Sequence, residues 1–298
     1  MIFENISNLP SINQTPKPRV YTSKTMHSHL MVRADNPKHL NKLNELKCDI
    51  ATINLEDGIS KEDKPKALNL TKVFLSHLEH SDSKVVIRVN EIENGGFEEI
   101  KELEFLNPYA FRVPKLRSID ELKEIEKLTD AKIYATIETK EAFRELDMLL
   151  ASSYIDVAYF GVLDLLADLH LPQSMVKTDN ETIKYLMSEF VIKCRTHSVL
   201  PISFTYQEYK NEDRFREWCE ISKRVGFTGQ SCIAPNQVEI ANSVFKQSSM
   251  EIEKAKEIKE LFETHKARGI TGFSHGKYGF IDEPIYRDAL TVLHQHAQ

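Results

Sequence analysis

The feature that most restricts how this chain can fold is an alternation, repeated eight times, between a short β-branched run and an amphipathic helical stretch. The first run is His29–Val32, and a helix is expected from Pro37 to about Lys47, with Leu40, Leu43 and Leu46 on one face and proline in its first turn. Further runs follow at 49–55, 84–90, 109–113, 132–137, 154–159, 199–205 and 227–233. Between and after them, helical patterns cover about 62–78, 97–106, 140–150, 169–197, 211–224 and 235–245, and another opens at Ser118, where a capping serine is followed three residues later by Glu121. Strands separated by helices pair in parallel, because a right-handed crossover needs room for the helix. Eight such units predict an α/β chain folded as a closed (β/α)8 TIM barrel rather than an open doubly wound sheet. No G-x-G-x-x-G follows the first strand, which further weakens a dinucleotide-binding fold.

The length of 298 residues suits one large barrel with small additions. Residues 1–20 are polar and carry Pro10, Pro16 and Pro18, so they are expected to form an N-terminal arm; residues 21–248 would form the barrel. The charged helix from about Met250 to Lys266 and the Gly-rich tail, together 249–298, are too short for an independent domain and read as a lid or a subunit contact. A net charge of −6 argues against a nucleic-acid surface, and no apolar run reaches the length of a transmembrane helix. Met1–Ile6 has no basic start leading into an apolar stretch, so no signal peptide is read and a cytoplasmic location is expected. Cys48, Cys194, Cys219 and Cys232 have no metal spacing and read as free thiols; the eleven histidines lack the short spacings of a zinc site.

Barrel enzymes keep their chemistry at the C-terminal ends of the strands. Those ends carry Glu56 and Asp57, Arg88 and Asn90, Lys115, Glu138, Gly161 with Asp164, and Thr205, a far more polar set than the strand bodies before them. Glu138 and Asp164 follow consecutive strands, so their carboxylates would converge on one point, as an oxygen-ligating cation such as Mg2+ requires. Either acid alone could equally cap the helix that follows it. Gly161 lets the backbone turn tightly and lets a ligand approach, and the N–H groups after it, on Val162 and Leu163, are candidate donors. Arg88 sits inside Val85–Asn90, where an unpaired charge would cost several kcal/mol. It is either a buried ion pair with Glu56 or Asp57, or a fork for a substrate carboxylate or carbonyl oxygen. Lys115 is either a solvated turn residue or, if desolvated, a Schiff-base former.

Seven segments in register carry a resemblance: Asp35–Pro37, Leu55–Asp57, Arg88–Asn90, Pro114–Lys115, Ile137–Thr139, Phe160–Leu165, and Gly226–Gln230 continued by Ile233–Gln237. Together they resemble the citrate lyase β-subunit-like family of Mg2+-dependent 2-keto-acid aldolases. The resemblance implies a (β/α)8 barrel, usually a homotrimer or hexamer, that makes or breaks C–C bonds beside a carboxylate or thioester. It implies Glu138 and Asp164 as Mg2+ ligands, Arg88 as the contact to the bound keto acid, and Glu56 and Asp57 as an acidic pair behind the metal. The tail Gly276–Pro284 resembles a lid whose acid acts from a neighbouring subunit, which makes Asp282 the candidate base, with Gly279–Phe280 as an insertion. The chain departs from the family pattern at His27, Arg33, Leu68, Gln230 and Ala234.

The expected function is therefore a Mg2+-dependent C–C lyase or aldolase acting on a small hydroxy- or keto-acid, or its acyl thioester, through a metal-stabilised enolate. Arg88, Glu56, Asp57 and Asp282 are its catalytic candidates; Gly161, Val162, Leu163 and Lys115 join Arg88 in substrate binding. The departures leave one alternative, an altered barrel that serves as a metabolite-binding or assembly subunit.

Overall fold

The computed structural model describes residues 2–3 and 9–297, and the chain divides into two compact units, Met1–Phe245 and Lys246–Gln298. Of the N-terminal arm expected over 1–20, residues 1 and 4–8 lie outside the described residues, as does residue 298 at the other end.

The first unit is a closed barrel of eight parallel strands: β1 Ser28–Arg33, β2 Ile50–Asn54, β3 Lys84–Arg88, β4 Ala110–Val113, β5 Lys132–Ile137, β6 Ile155–Phe160, β7 Leu200–Ser203 and β8 Gly229–Cys232. Each strand pairs with its neighbours in the chain, and β8 closes on β1 through Gln230 opposite Ser28. Alternate side chains divide the strands between two cores. Leu30, Val32, Ala51, Ile53, Val85, Ile87, Phe111, Ile133 and Phe160 point outward and pack in the main core with the helices. Ile50, Val86, Ala110, Tyr134, Val157, Tyr159 and Ile202 point inward as a separate plug. Inward positions further along the strands are polar but buried: Thr52 and Asn54, Arg88, Arg112, Thr136, then Glu138. Every strand is thus covered on both faces, which is why the runs read as continuously apolar until their C-terminal ends.

Three local expectations are corrected. Residues 37–47 form a helix of five residues, Pro37–Asn41, and a 3-10 turn, Leu43–Glu45, because Lys47 (φ 49°) must turn the chain straight back towards β2. The stretch 140–150 is two helices, Lys140–Arg144 and Leu146–Leu150, interrupted by the non-helical ψ of 17° at Glu145. A helix starts immediately after β6, at Val162–Asp168, rather than near Leu169, so Asp164 stands in a first turn. A 3-10 turn, Gln173–Met175, then leads to the helix Glu181–Thr196.

The N-terminal side of the barrel is tied by one carboxylate. Asp49 accepts from Thr25 Oγ1 (2.5 Å), Ser23 Oγ (2.9 Å) and the backbone N–H of His27 (2.7 Å) and Ser28 (3.2 Å). Burial alone would raise its pKa, but these four donors outweigh burial and hold it below the usual carboxylate value. A depressed native pKa stabilises the fold above the unfolded-state value near 4, and that contribution drains away as pH falls through the native value. Asp49→Ala is expected to cost ~3 kcal/mol at pH 7, because it orphans buried donors, and less at pH 3. Urea unfolding at the two pH values checks this.

The second unit contains the helix Ser249–Lys266, a hairpin of β9 Gly272–His275 and β10 Gly279–Asp282, and the helix Glu283–Ala297. Its own core is Ala255, Ile258, Phe262, Ile281 and Ala289, with Phe262 stacked on Tyr286. Ser248 and Glu251 form a capping box at its first helix. No described helix of the chain is long and apolar enough to cross a membrane.

Candidate active site

A cavity of about 290 Å3 opens at the C-terminal ends of the strands, and Asn54, Asp57, Arg88, Glu138 and Asp164 all line it. Glu138 is the residue after β5 and is 4% exposed. It caps no helix, since Thr139 does that by accepting from the N–H of Ala142. Its Oε1 accepts instead from the main-chain N–H of Lys115, at 2.9 Å. Burial pushes its pKa up to about 7, helped by Asp164 and Glu56 and opposed by Arg88. Asp164 is exposed, in the first turn of Val162–Asp168, and faces the same cavity.

Gly161 holds this arrangement together for a reason other than a turn. Its φ is −89°, which any residue adopts. A Cβ there would stand 2.4 Å from Glu138 Cβ and 2.7 Å from Oε2, so the missing methyl is the space in which the Glu138 carboxylate sits. Val162 and Leu163 also line the cavity, and no side chain caps the helix they open.

Arg88, on β3, is 6% exposed. Its Nη2 pairs with Glu56 and lies 3.2 Å from Asp57 Oδ2, while its Nε is buried without a partner. Burial disfavours the cation, but Glu56, Glu138 and Asp57 more than compensate and raise its pKa. The ion-pair reading of Arg88 is the one the contacts show, with Nε left buried and without a partner. Glu56 is buried and burial raises its pKa, whereas the Asp57 side chain is mostly exposed. Lys115, with φ 48°, reaches the site through its backbone, and its ammonium lies 3.8 Å from Glu56 Oε1. Burial lowers its pKa, but Glu56 leads a set of carboxylates that raise it overall, so it stays charged, contrary to what Schiff-base chemistry needs. Thr205 lines the cavity; Asn90 turns away to Glu99 and Lys64. Asp282 ends β10 in the second unit and accepts from the N–H of Ile285 at 3.3 Å. None of His27, Arg33, Leu68, Gln230 and Ala234 lines the cavity.

Sequence reasoning missed Arg112. It lines the cavity from β4 and is 5% exposed. Its Nε donates to Thr136 Oγ1 (3.1 Å), and its guanidinium carbon lies 3.6 Å from the centre of the Tyr159 ring. Register supplies what the sequence lacked: Arg112 pairs with Arg88 and has the same inward parity.

Among the described residues no group of three or more His, Cys, Asp or Glu side chains is placed to hold a metal by itself. An acidic pair beside one open cavity suits an ion that keeps water and substrate among its ligands. A closed (β/α)8 barrel with carboxylates and arginines around one cavity at the C-terminal mouth has the layout of a barrel enzyme. Residues 27–235 match the HpcH/HpaI aldolase/citrate lyase family, and the chain belongs to it, among enzymes of carbon–carbon bond cleavage. The (3S)-malyl-CoA thioesterase of Cereibacter sphaeroides is 25% identical over 244 residues, 81% of this chain and 85% of that protein. Mouse mitochondrial citramalyl-CoA lyase is 22% identical over 307 residues, 93% of this chain and 89% of that protein. In structure, CitE from Mycobacterium tuberculosis, solved with magnesium, acetoacetate and coenzyme A, superposes with a TM-score of 0.73 at 18% identity, over 93% of this chain and all of that one.

Proposed function

We propose that this protein is a Mg2+-dependent carbon–carbon lyase that cleaves or forms the bond between a small oxo acid and the enolate of an acyl thioester. The observation that carries the reading is the convergence of Glu138 and Asp164 on one cavity. The donors fit the ion: they are oxygens only, one carboxylate is buried and the other exposed, and the open side leaves room for substrate. Mg2+ solved in CitE and the thioester names of the relatives support the same reading. Glu138 and Asp164 would hold the ion, which when bound supplies a Lewis acid for oxygens that gain charge.

The chain's own groups do the rest. Glu56 and Asp57 fix the Arg88 guanidinium at the cavity wall, where it would meet a substrate carboxylate or carbonyl oxygen without reorganising. The N–H groups of Val162 and Leu163 add donors to the substrate carboxylate, and Lys115 positions Glu138 through its backbone. Asp282, supplied by a neighbouring subunit of a trimer or hexamer, is the base that removes the substrate proton. About 290 Å3 suits a small acid, so a thioester carrier would extend outward from the mouth. The five departures stand outside the cavity lining, which favours turnover over a binding-only role. The thioesterase relative favours a second reading, hydrolysis of the thioester at the same site.

Incubation with pyruvate or an acetyl thioester in D2O should give Mg2+-dependent deuterium incorporation that EDTA abolishes, and malyl or citramalyl thioesters should yield an oxo acid. Absence of any metal-dependent exchange or cleavage would sink the proposal; a free hydroxy acid released with the free thiol, and no oxo acid, would select hydrolysis. Gly161→Ala should weaken Mg2+ binding by about 10- to 100-fold in titration calorimetry, because the added methyl displaces Glu138.

A further inference from the structure

The lyase reading accounts for every charge around the cavity except one. Arg88 is matched by Glu56 and Asp57, and Glu138 with Asp164 awaits a cation. Arg112 is as buried as Arg88, yet among the described residues it has no carboxylate within ion-pair distance. Glu138 and Glu56 act on it only from further away. Burial lowers its pKa to about 10, which still leaves it charged at neutral pH.

The groups beneath it are neutral and fixed. Tyr159 lies under the guanidinium, and its pKa, raised by burial to about 12, keeps it a phenol. Its hydroxyl is 2.8 Å from His29 Nδ1, while His29 Nε2 is 3.1 Å from the carbonyl of Met26. Burial drops the His29 pKa to about 3, so the ring is neutral: Nε2–H donates to the carbonyl and Nδ1 accepts from the tyrosine. Thr136 holds the guanidinium through Nε, and among the described residues no acceptor claims its terminal nitrogens, the two-pronged edge suited to a carboxylate. On β5, Tyr134 is level with Arg112 and precedes Glu138 by four residues, so Arg112 sits between the apolar plug and the carboxylate pair. A buried cation with a prepared seat and no protein anion is expensive unless a ligand supplies one.

We infer that Arg112 is a specificity-determining residue: it forms a second carboxylate subsite at the inner end of the cavity and selects an oxo acid bearing two carboxylates. One carboxylate with its adjoining oxo group would lie by Glu138, Asp164 and Arg88, a placement that rests on the lyase reading; the other would reach inward to Arg112.

The test is calorimetric binding, with saturating Mg2+, of freshly prepared oxaloacetate and of 2-oxobutyrate, which has the same carbon number and lacks the second carboxylate. The wild-type protein should prefer the diacid by about 10- to 100-fold. Arg112→Met should erase that preference by weakening oxaloacetate alone, with 2-oxobutyrate and Mg2+ affinities within about threefold of wild type. Arg112→Lys, which keeps the charge but not the fork, should lose part of the preference, again on the diacid only. Lysine also decides the matter should methionine prevent folding. Equal weakening of both acids in either variant, or a wild-type protein without preference, overturns the proposal. If the preference depends on Arg112 but Mg2+ does not bind, the lyase reading fails and the anion subsite stands.

Discussion

Glu138→Gln should lower Mg2+ affinity and lyase turnover by about a thousandfold, while leaving the protein as stable as before or more so. Glutamine keeps the volume that the absent Gly161 methyl makes available, and its amide oxygen still accepts from the Lys115 N–H. Only the charge is lost, and charge is what a hard cation binds; several kcal/mol of transition-state stabilisation go with it. Stability moves the other way. The native pKa of Glu138, raised to about 7, means that folding opposes ionisation of this group. Between the unfolded value near 4.5 and 7, the unfolded state sheds this proton while the native state keeps it. The metal-free wild type should therefore gain stability from this group as pH drops from 8 to 5, and Glu138→Gln should flatten that slope. Asp164→Asn should reduce Mg2+ affinity as well with little change in melting temperature, because Asp164 is exposed. Thermal unfolding with EDTA at three pH values, beside Mg2+ titration and turnover, reads all of these effects. A glutamine variant that binds Mg2+ within about threefold of wild type would remove Glu138 from the metal site.

The barrel was legible because each strand announces itself twice, by an apolar body and by a polar C-terminal end. Closure was legible because eight parallel units leave little other choice. Glu138, Asp164 and Arg88 stood out as charges at or just beyond buried strand ends, and all three line the cavity. What could not be read is where backbone and side chain exchange roles. Gly161 looked like a turn glycine and is a gap for a carboxylate from the previous strand; Lys115 reads as a solvated turn residue or a Schiff-base former and contributes its N–H. These are contacts between different strands, and spacing along one strand carries no trace of them. Arg112 was hidden differently. The run 109–113 reads as a strand, but Arg112 lies inside it rather than at its polar end, and only the closed register shows it facing inward beside Arg88.

That same register allows the two roles of Arg88 to be separated by experiment. Arg88→Met should cost about 3–5 kcal/mol of stability, because it leaves Glu56 buried with only the Lys115 ammonium, 3.8 Å away, as a cationic partner. Turnover should fall about 10^3-fold in the same variant if the guanidinium donates to the reacting acid. Adding Glu56→Leu to Arg88→Met removes the stranded carboxylate and replaces the ion pair with apolar volume. The double variant should recover most of the lost stability, since a buried pair is often worth no more than well-packed hydrocarbon. Turnover should not recover if, as proposed, the guanidinium itself meets the substrate. Denaturant unfolding and steady-state kinetics on wild type, both single variants and the double complete the cycle. Recovery of turnover along with stability would mean that Arg88 matters only as the partner of Glu56, and the contact to substrate would then have to come from elsewhere in the cavity.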